Sequence, residues 1–226
     1  MKWRTLSGAL ALILGLPGMQ AGATVLTFDG IPIPGSSVPI PQDYGDRVTA
    51  ATDPVTGWQY GTAGGFTPNV VVEYNPASVT PFSLWQSGYG SLINALGHIN
   101  FNVLGSVVLR PDAGFLVTLS SFDVGGWSID RPDSRIVVSD LDGTALFDSG
   151  LVTVPGPTSN PSTWAFTGPL SSANGLSIEL FDYGTLGLDN VQFSQAPIPE
   201  PGTWAMLLGG LGLLSLAVRR RRFGER

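Results

Sequence analysis

Two acidic positions near the ends of the central body carry the plainest chemistry in this sequence. Phe28-Asp29-Gly30 closes a first β-branched run, and Gly187-Leu188-Asp189-Asn190-Val191 sits within the last one. If those runs lie side by side, Asp29, Asp189 and the Asn190 amide, with nearby carbonyls, form an oxygen-rich set. Such a set suits Ca²⁺, a hard ion that takes six to eight oxygens. The competing reading is that both aspartates cap turns, which the Asp-Gly pair at 29–30 favours. A second set is aromatic: Trp58, Tyr60, Trp85 and Trp127 stand among glycines and loop-like stretches. Rings so placed stack on the C–H faces of sugars, with burial in a core as the alternative for each. His98 is the only histidine and cysteine is absent, which leaves no donors for a zinc site and no disulfide. The body holds two glutamates, Glu73 and Glu179, neither in a recognisable motif, and no G-x-S-x-G nucleophile. The expectation is a non-enzymatic glycan-associated domain. The alternative is a secreted glycan hydrolase built on the same scaffold with two carboxylates.

A third feature has the form of a catalytic motif. Ile136-Val137-Val138-Ser139-Asp140-Leu141-Asp142-Gly143-Thr144 resembles the first motif of haloacid-dehalogenase-type phosphatases. That resemblance implies Asp140 as nucleophile, Asp142 as general acid and a Mg²⁺ ion. It is rejected on three grounds. Phosphoryl transfer needs a fixed cation, yet Lys2 is the only lysine. The phosphatase fold needs parallel strands with crossover helices, and no helical periodicity follows Asp142. The acidic body would also repel a phosphate substrate. The Asp142-Gly143 pair between two apolar runs instead predicts a hairpin turn. The Leu-Asp-Asn-Val stretch at 188–191 is similar to the close of many exported lectin-like sandwiches, including carbohydrate-binding and MAM-type domains.

The elements that would position these residues are all strands. Thr24–Phe28, Asn69–Tyr74, His98–Val103, Val107–Leu109, Phe115–Phe122, Arg135–Ser139, Thr144–Phe147, Thr163–Phe166, Leu176–Phe181 and Leu188–Phe193 are short runs rich in β-branched and aromatic residues. Their spacing of roughly eight to twelve residues, with Gly/Pro turns between, predicts nine to eleven strands in an antiparallel sandwich of jelly-roll type. In that arrangement the first and last strands are neighbours. Ile31–Pro41, rich in Pro, Gly and Ser, cannot be strand interior. Ser91–Leu96 reads as at most one helical turn, and Ser194–Gly202 as the only candidate linker.

The two ends of the chain have a different character. Lys2 and Arg4 precede an apolar stretch, Leu6–Leu16, then Pro17-Gly18 and the small residues Ala21-Gly22-Ala23. This is the pattern of a secretory signal peptide at 1–23, with cleavage after Ala23. Between the ends, residues 24–196 form one domain of ordinary size. That body has four arginines against fifteen acidic residues, a net charge of −11 beside −6 for the whole chain. Nucleic acid is thereby disfavoured as a partner, and divalent cations and neutral glycans suit it better. At the C-terminus, Pro199-Glu200-Pro201 is followed by the uncharged run Thr203–Val218 and then Arg219, Arg220, Arg221 and Arg222. A sixteen-residue helix spans only ~24 Å against a ~30 Å hydrocarbon core, so it is marginal as a lasting anchor. The arginines orient it with their end in the cytoplasm. This ordered triple at 197–226 resembles a PEP-CTERM sorting tail. The resemblance implies recognition and removal by an exosortase, a membrane cysteine protease. It further implies transient residence in the inner membrane and a final place at the cell surface or in a biofilm matrix.

Overall fold

The computed structural model describes residues 22–61, 65–74, 82–97, 105–181, 186–199, 202 and 206–215. Among the described residues there are thirteen strands: β1 Thr24–Leu26, β2 Ser37–Pro39, β3 Val70–Tyr74, β4 Ser83–Trp85, β5 Ala95–Gly97, β6 Gly105–Pro111, β7 Phe115–Gly126, β8 Arg131–Asp140, β9 Ala145–Asp148, β10 Val152–Val154, β11 Ser162–Ser172, β12 Leu176–Phe181 and β13 Leu186–Pro197. They form two antiparallel sheets. One runs β11-β7-β13-β5-β4-β2, with β1 also on β13; the other runs β10-β8-β12-β6-β3, with β9 also on β8. Strand β7 takes one edge of β13 along most of its length. Strands β5, at Leu188, and β1, at Val191–Phe193, take successive stretches of the other.

Alternation along the strands builds the core. Leu84, Leu96, Leu119, Val124, Leu188 and Phe193 from the first sheet meet Val72, Leu109, Ile136, Val138, Ile178 and Leu180 from the second in one buried cluster. Fully burying each such side chain contributes ~1.5–3 kcal/mol, which opposes the chain entropy lost on folding. The expected pairing of the first and last strands is present, with Leu26 opposite Val191 and Thr24 opposite Phe193. The expected hairpin is also present. Gly143 adopts φ 94° and donates to the Asp140 carbonyl at 2.9 Å, joining β8 to β9.

Four expectations need correction. Strand β2 falls inside the stretch read as unable to be strand interior; it is an edge strand of three residues with Pro39 at its end, where a missing N–H costs no ladder bond. Leu96 lies in β5, and Asn94 at φ 57° turns the chain into it, so no helical turn forms there. The thirteen strands among the described residues exceed the expected nine to eleven because three-residue strands carry no periodicity to read. Finally, Ser194–Pro197 is strand, not linker, as those residues pair with Phe115–Thr118 of β7. The expected strand His98–Val103 and the signal-peptide pattern before Gly22 lie outside the described residues. So do Glu200, Pro201 and the four arginines at 219–222.

In the tail, residues 206–215 are helical and exposed, with Met206, Leu208 and Leu213 among the most exposed apolar side chains. Among the described residues no helix is long and apolar enough to cross a membrane.

Candidate functional site

The seam between β1 and β13 collects the acidic residues. Leaving β1, the chain turns at Phe28 (φ 56°), and the Ile31 N–H closes the Asp29-Gly30 turn on the Phe28 carbonyl at 3.1 Å. Asn94, itself buried, straps this turn: its Nδ2 donates to the carbonyls of Phe28, Asp29 and Ile31 at 3.3, 3.2 and 3.3 Å. From the other side the Phe28 N–H donates to Tyr44 Oη at 3.1 Å, and that hydroxyl donates onward to the Gln59 carbonyl. On β13, a register break follows Asp189, and Asn190 sits at φ 50° within it. At this irregularity Asn190 bonds to two aspartates. Its N–H donates to Asp189 Oδ1 at 2.7 Å and its Nδ2 to Asp123 Oδ2 at 2.9 Å. Asp123 lies on β7 directly across from Asp189.

Asp189 is only 3% exposed. Burial pushes its carboxyl up to about 8; repulsion from Asp29 and Asp123 adds to the rise, and the Asn190 N–H opposes it. Among the described residues no cation is one of the groups acting on it. The structure therefore sets Asp29 and Asp123 close enough to act on Asp189, while Asn190 bonds to Asp189 and Asp123. Asp123 was invisible from the sequence because only cross-strand register links it to the pair. Among the described residues no three acidic or histidine side chains form a ready-made metal group. A cation held here would rest on two carboxylates plus amide and carbonyl oxygens, and three of the nearby carbonyls already accept from Asn94.

The second site is aromatic and lies on the outer face of the first sheet. In β4 and β5, Leu84 and Leu96 point into the core, so Trp85 and its cross-strand partner Ala95 point the other way. A separate cluster forms there: Tyr89, Leu92 and Ala95 are buried, and Trp85 and Trp127 pack on them while staying partly exposed. Ring centroids are 5.0 Å apart for Trp85–Trp127 and 5.1 Å for Tyr89–Trp127. Glycines make room for this layer. A Cβ on Gly187 would lie 2.5 Å from Tyr89 Cγ, and one on Gly97 2.4 Å from Tyr89 Oη. Ser128, at φ 58°, donates its N–H to the Gly88 carbonyl at 3.1 Å and fixes the Trp127 loop. Among the described residues the buried indole N–H of Trp85 and the buried Nε of Arg131 have no hydrogen-bond partner, although Arg131 donates through Nη2 to the Trp127 carbonyl at 2.6 Å. Ile93 and Ile129, both well over half exposed, stand in the loops that carry Leu92 and Trp127.

The other two aromatic candidates are placed differently. Tyr60 is buried, its ring 5.2 Å from Tyr44, and its hydroxyl accepts from the Gly45 N–H at 3.3 Å; burial pushes that phenol up to about 12. Trp58 is half-buried, edge-on to Tyr44 at 5.5 Å and packed on the main core. These two rings shape the loop behind the acidic seam. The four candidates thus divide into a core pair and a surface pair. The sequence hinted at the surface pair only through the glycines near Trp85 and Trp127.

The phosphatase-like motif forms a turn network. Asp140 accepts from the Ser172 hydroxyl, from Asp142 N at 3.0 Å and from Asn174 Nδ2 at 3.2 Å; Asp142 accepts from Thr144 N at 3.0 Å. The Ser172 hydroxyl holds the Asp140 carboxylate below the usual range. Three of the four body arginines are in exposed ion pairs, Arg47–Asp112, Arg110–Glu73 and Arg135–Asp148.

Fold and tail together define an exported protein whose β-sandwich is delivered by a C-terminal sorting signal. Residues 197–222 match the PEP-CTERM protein-sorting motif, so the chain is handled at the membrane by an exosortase. No match was found among curated protein sequences. Among solved structures, the Stig cyclase FisC from Fischerella sp. TAU aligns at 15% identity and TM-score 0.38, over 78% of this chain and all of that one. A Podospora anserina GH26–CBM35 β-(1,4)-mannanase aligns at 14% identity and TM-score 0.34, over 59% of this chain and 29% of that one. The isomalto-dextranase of Arthrobacter globiformis T6, complexed with panose, aligns at 9% identity and TM-score 0.32, over 76% and 34%. Likenesses this low assign neither substrate nor activity to this chain.

Proposed function

We propose that the exported sandwich is a non-enzymatic polysaccharide-associating domain of the cell surface or extracellular matrix, and that it binds through the Trp85–Trp127 face. The observation that carries this reading is the pair of partly exposed indoles 5.0 Å apart on the outside of the sheet. The cluster lies apart from the main core, its two indoles tilted at 58° to each other, and aromatic faces held on a rigid sheet are what sugar C–H faces pack against. The bed of glycines fixes the platform, so little side-chain entropy is lost on binding. The acidic body favours a neutral polymer.

Affinity electrophoresis of the processed protein, in gels containing neutral polysaccharides or the host's own polymer, tests the reading. Retardation that Trp127→Ala abolishes and Trp58→Ala preserves is the expected result. Unretarded migration across the panel would remove the proposal. Release of reducing ends from the same polymers would favour the hydrolase alternative.

A Ca²⁺ ion at the β1–β13 seam, held by Asp29, Asp189 and Asn190, is a second proposal, and the buried Asp189 carboxylate, with no cationic neighbour among the described residues, supports it. When bound, the ion would offset carboxylate repulsion and join the two ends of the domain. No disulfide can do this, since the chain has no cysteine. An ion that binds only the folded state stabilises it by about 2.7 kcal/mol at a hundredfold excess over its dissociation constant.

A further inference from the structure

The matched sorting motif begins at residue 197, and the sandwich has not yet ended there. Pro197 pairs with Phe115 at the start of β7, and the Ile198 N–H donates to the Gly114 carbonyl at 2.8 Å. That turn is itself braced. The Phe115 N–H closes on the Asp112 carbonyl at 3.1 Å, the Asp112 N–H donates to the Asn69 carbonyl at 2.8 Å, and Arg47 grips both Asp112 carboxylate oxygens at 2.5 and 2.8 Å. The first two residues of the motif are therefore part of a folded edge. Seven residues, 199–205, separate Ile198 from the helix at 206–215, and Gly202 among them is already helical, so they span less than the ~25 Å of a fully extended segment. A protease active site at the membrane must fit into that gap.

We propose that the Asp112–Gly114 end of the sandwich is the surface that meets the membrane-embedded sorting protease, and that Pro197 and Ile198 must leave the β7 ladder before the motif is processed. The folded domain then sets the pace of its own release from the membrane. Tail removal is slow while the β13 end stays zipped, and quick once it frays. This inference rests on the sorting motif alone and is independent of the glycan and calcium proposals.

A cross-link tests it. Phe115 and Pro197 are directly opposed, and opposed antiparallel residues stand at Cα separations compatible with a disulfide. With no native cysteine, Phe115→Cys and Pro197→Cys can pair only with each other inside the chain. The full-length double variant, expressed in a host with its exosortase, is followed by pulse-chase and by intact mass of the C-terminus. The oxidised form should keep its tail, while added reductant or either single variant restores processing. Tail removal from the cross-linked form at the rate of the singles would overturn the proposal. A second variant leaves the whole motif intact and inserts six Gly/Ser residues between Ala196 and Pro197. Freed from one exposed backbone hydrogen bond, it should be processed about fivefold faster. A rate equal to or below that of the unaltered chain would likewise overturn the proposal.

Discussion

Replacing Asp189 by Asn should change how the stability of this domain depends on pH. In the fold the Asp189 carboxyl titrates at about 8, against 3.8 for an unperturbed aspartate. Between those values the folded chain holds a proton that the unfolded chain has released, so stability falls as pH rises through the window. A shift of about four units corresponds to a penalty on the order of 5 kcal/mol once pH exceeds 8. That is a large share of the 5–15 kcal/mol by which domains are ordinarily stable. Asn keeps the shape and the Oδ1 acceptor for the Asn190 N–H, and it removes the charge. Chemical denaturation in chelator at pH 5, 6, 7 and 8 reads the effect. The unaltered protein should lose stability steadily across the series, while Asp189→Asn stays nearly level and is the more stable of the two at pH 8. Added Ca²⁺ should raise the stability of the unaltered protein at pH 8 and leave that of Asp189→Asn unchanged, with Mg²⁺ reproducing only general screening of a body at −11. Parallel pH profiles for the two proteins would refute the buried, cation-free carboxylate on which the seam argument rests.

Further outcomes follow from the same geometry. Gly187→Ala forces a methyl group into the Tyr89 ring and should cost about 1–3 kcal/mol, read as a lower melting temperature, whereas Gly168→Ala meets nothing within 4 Å and should be silent. Asn94→Ala frees three carbonyls of the Asp29 turn and should destabilise by about 1–3 kcal/mol, with a matching weakening of any Ca²⁺ effect on the melt. Asp140→Ala should lower stability by about 1–2 kcal/mol through loss of the Ser172 and Asn174 bonds, and phosphatase assays should show no activity for it or for the unaltered chain.

What could be read from the sequence was set by periodicity and by turn chemistry. Strands such as Val70–Tyr74 and Leu176–Phe181 alternate or run apolar because they face the core, and Asp142-Gly143 marks its hairpin because Gly143 takes the positive φ the tight turn needs. Pairing of Thr24–Leu26 with the last strand was accessible from topology, and it brought Asp29 toward Asp189. The short strands Ser37–Pro39, at the sheet edge, and Ala95–Gly97, inside it, were not legible, since three residues carry no period and their pairing is decided by distant partners. Asp123 and Asn94 were missed for a related reason. Each reaches the seam through register or a loop fold, and neither lies near Asp29 or Asp189 in the chain. The split of the aromatics also depends on packing: Trp85 and Tyr60 look alike in sequence, yet one faces outward over glycines and the other fills the core.

The central claim, an exported sandwich that engages polysaccharide through one aromatic face, is tested most directly by the indole signals of the processed protein. Residues 24–196 contain four tryptophans, Trp58, Trp85, Trp127 and Trp164, hence four side-chain N–H resonances. On titration with the host's own polymer, the Trp85 and Trp127 resonances should shift together and saturate, while those of Trp58 and Trp164 stay in place. Shifts confined to Trp58 or Trp164, or no shift at any polymer concentration, would contradict the account.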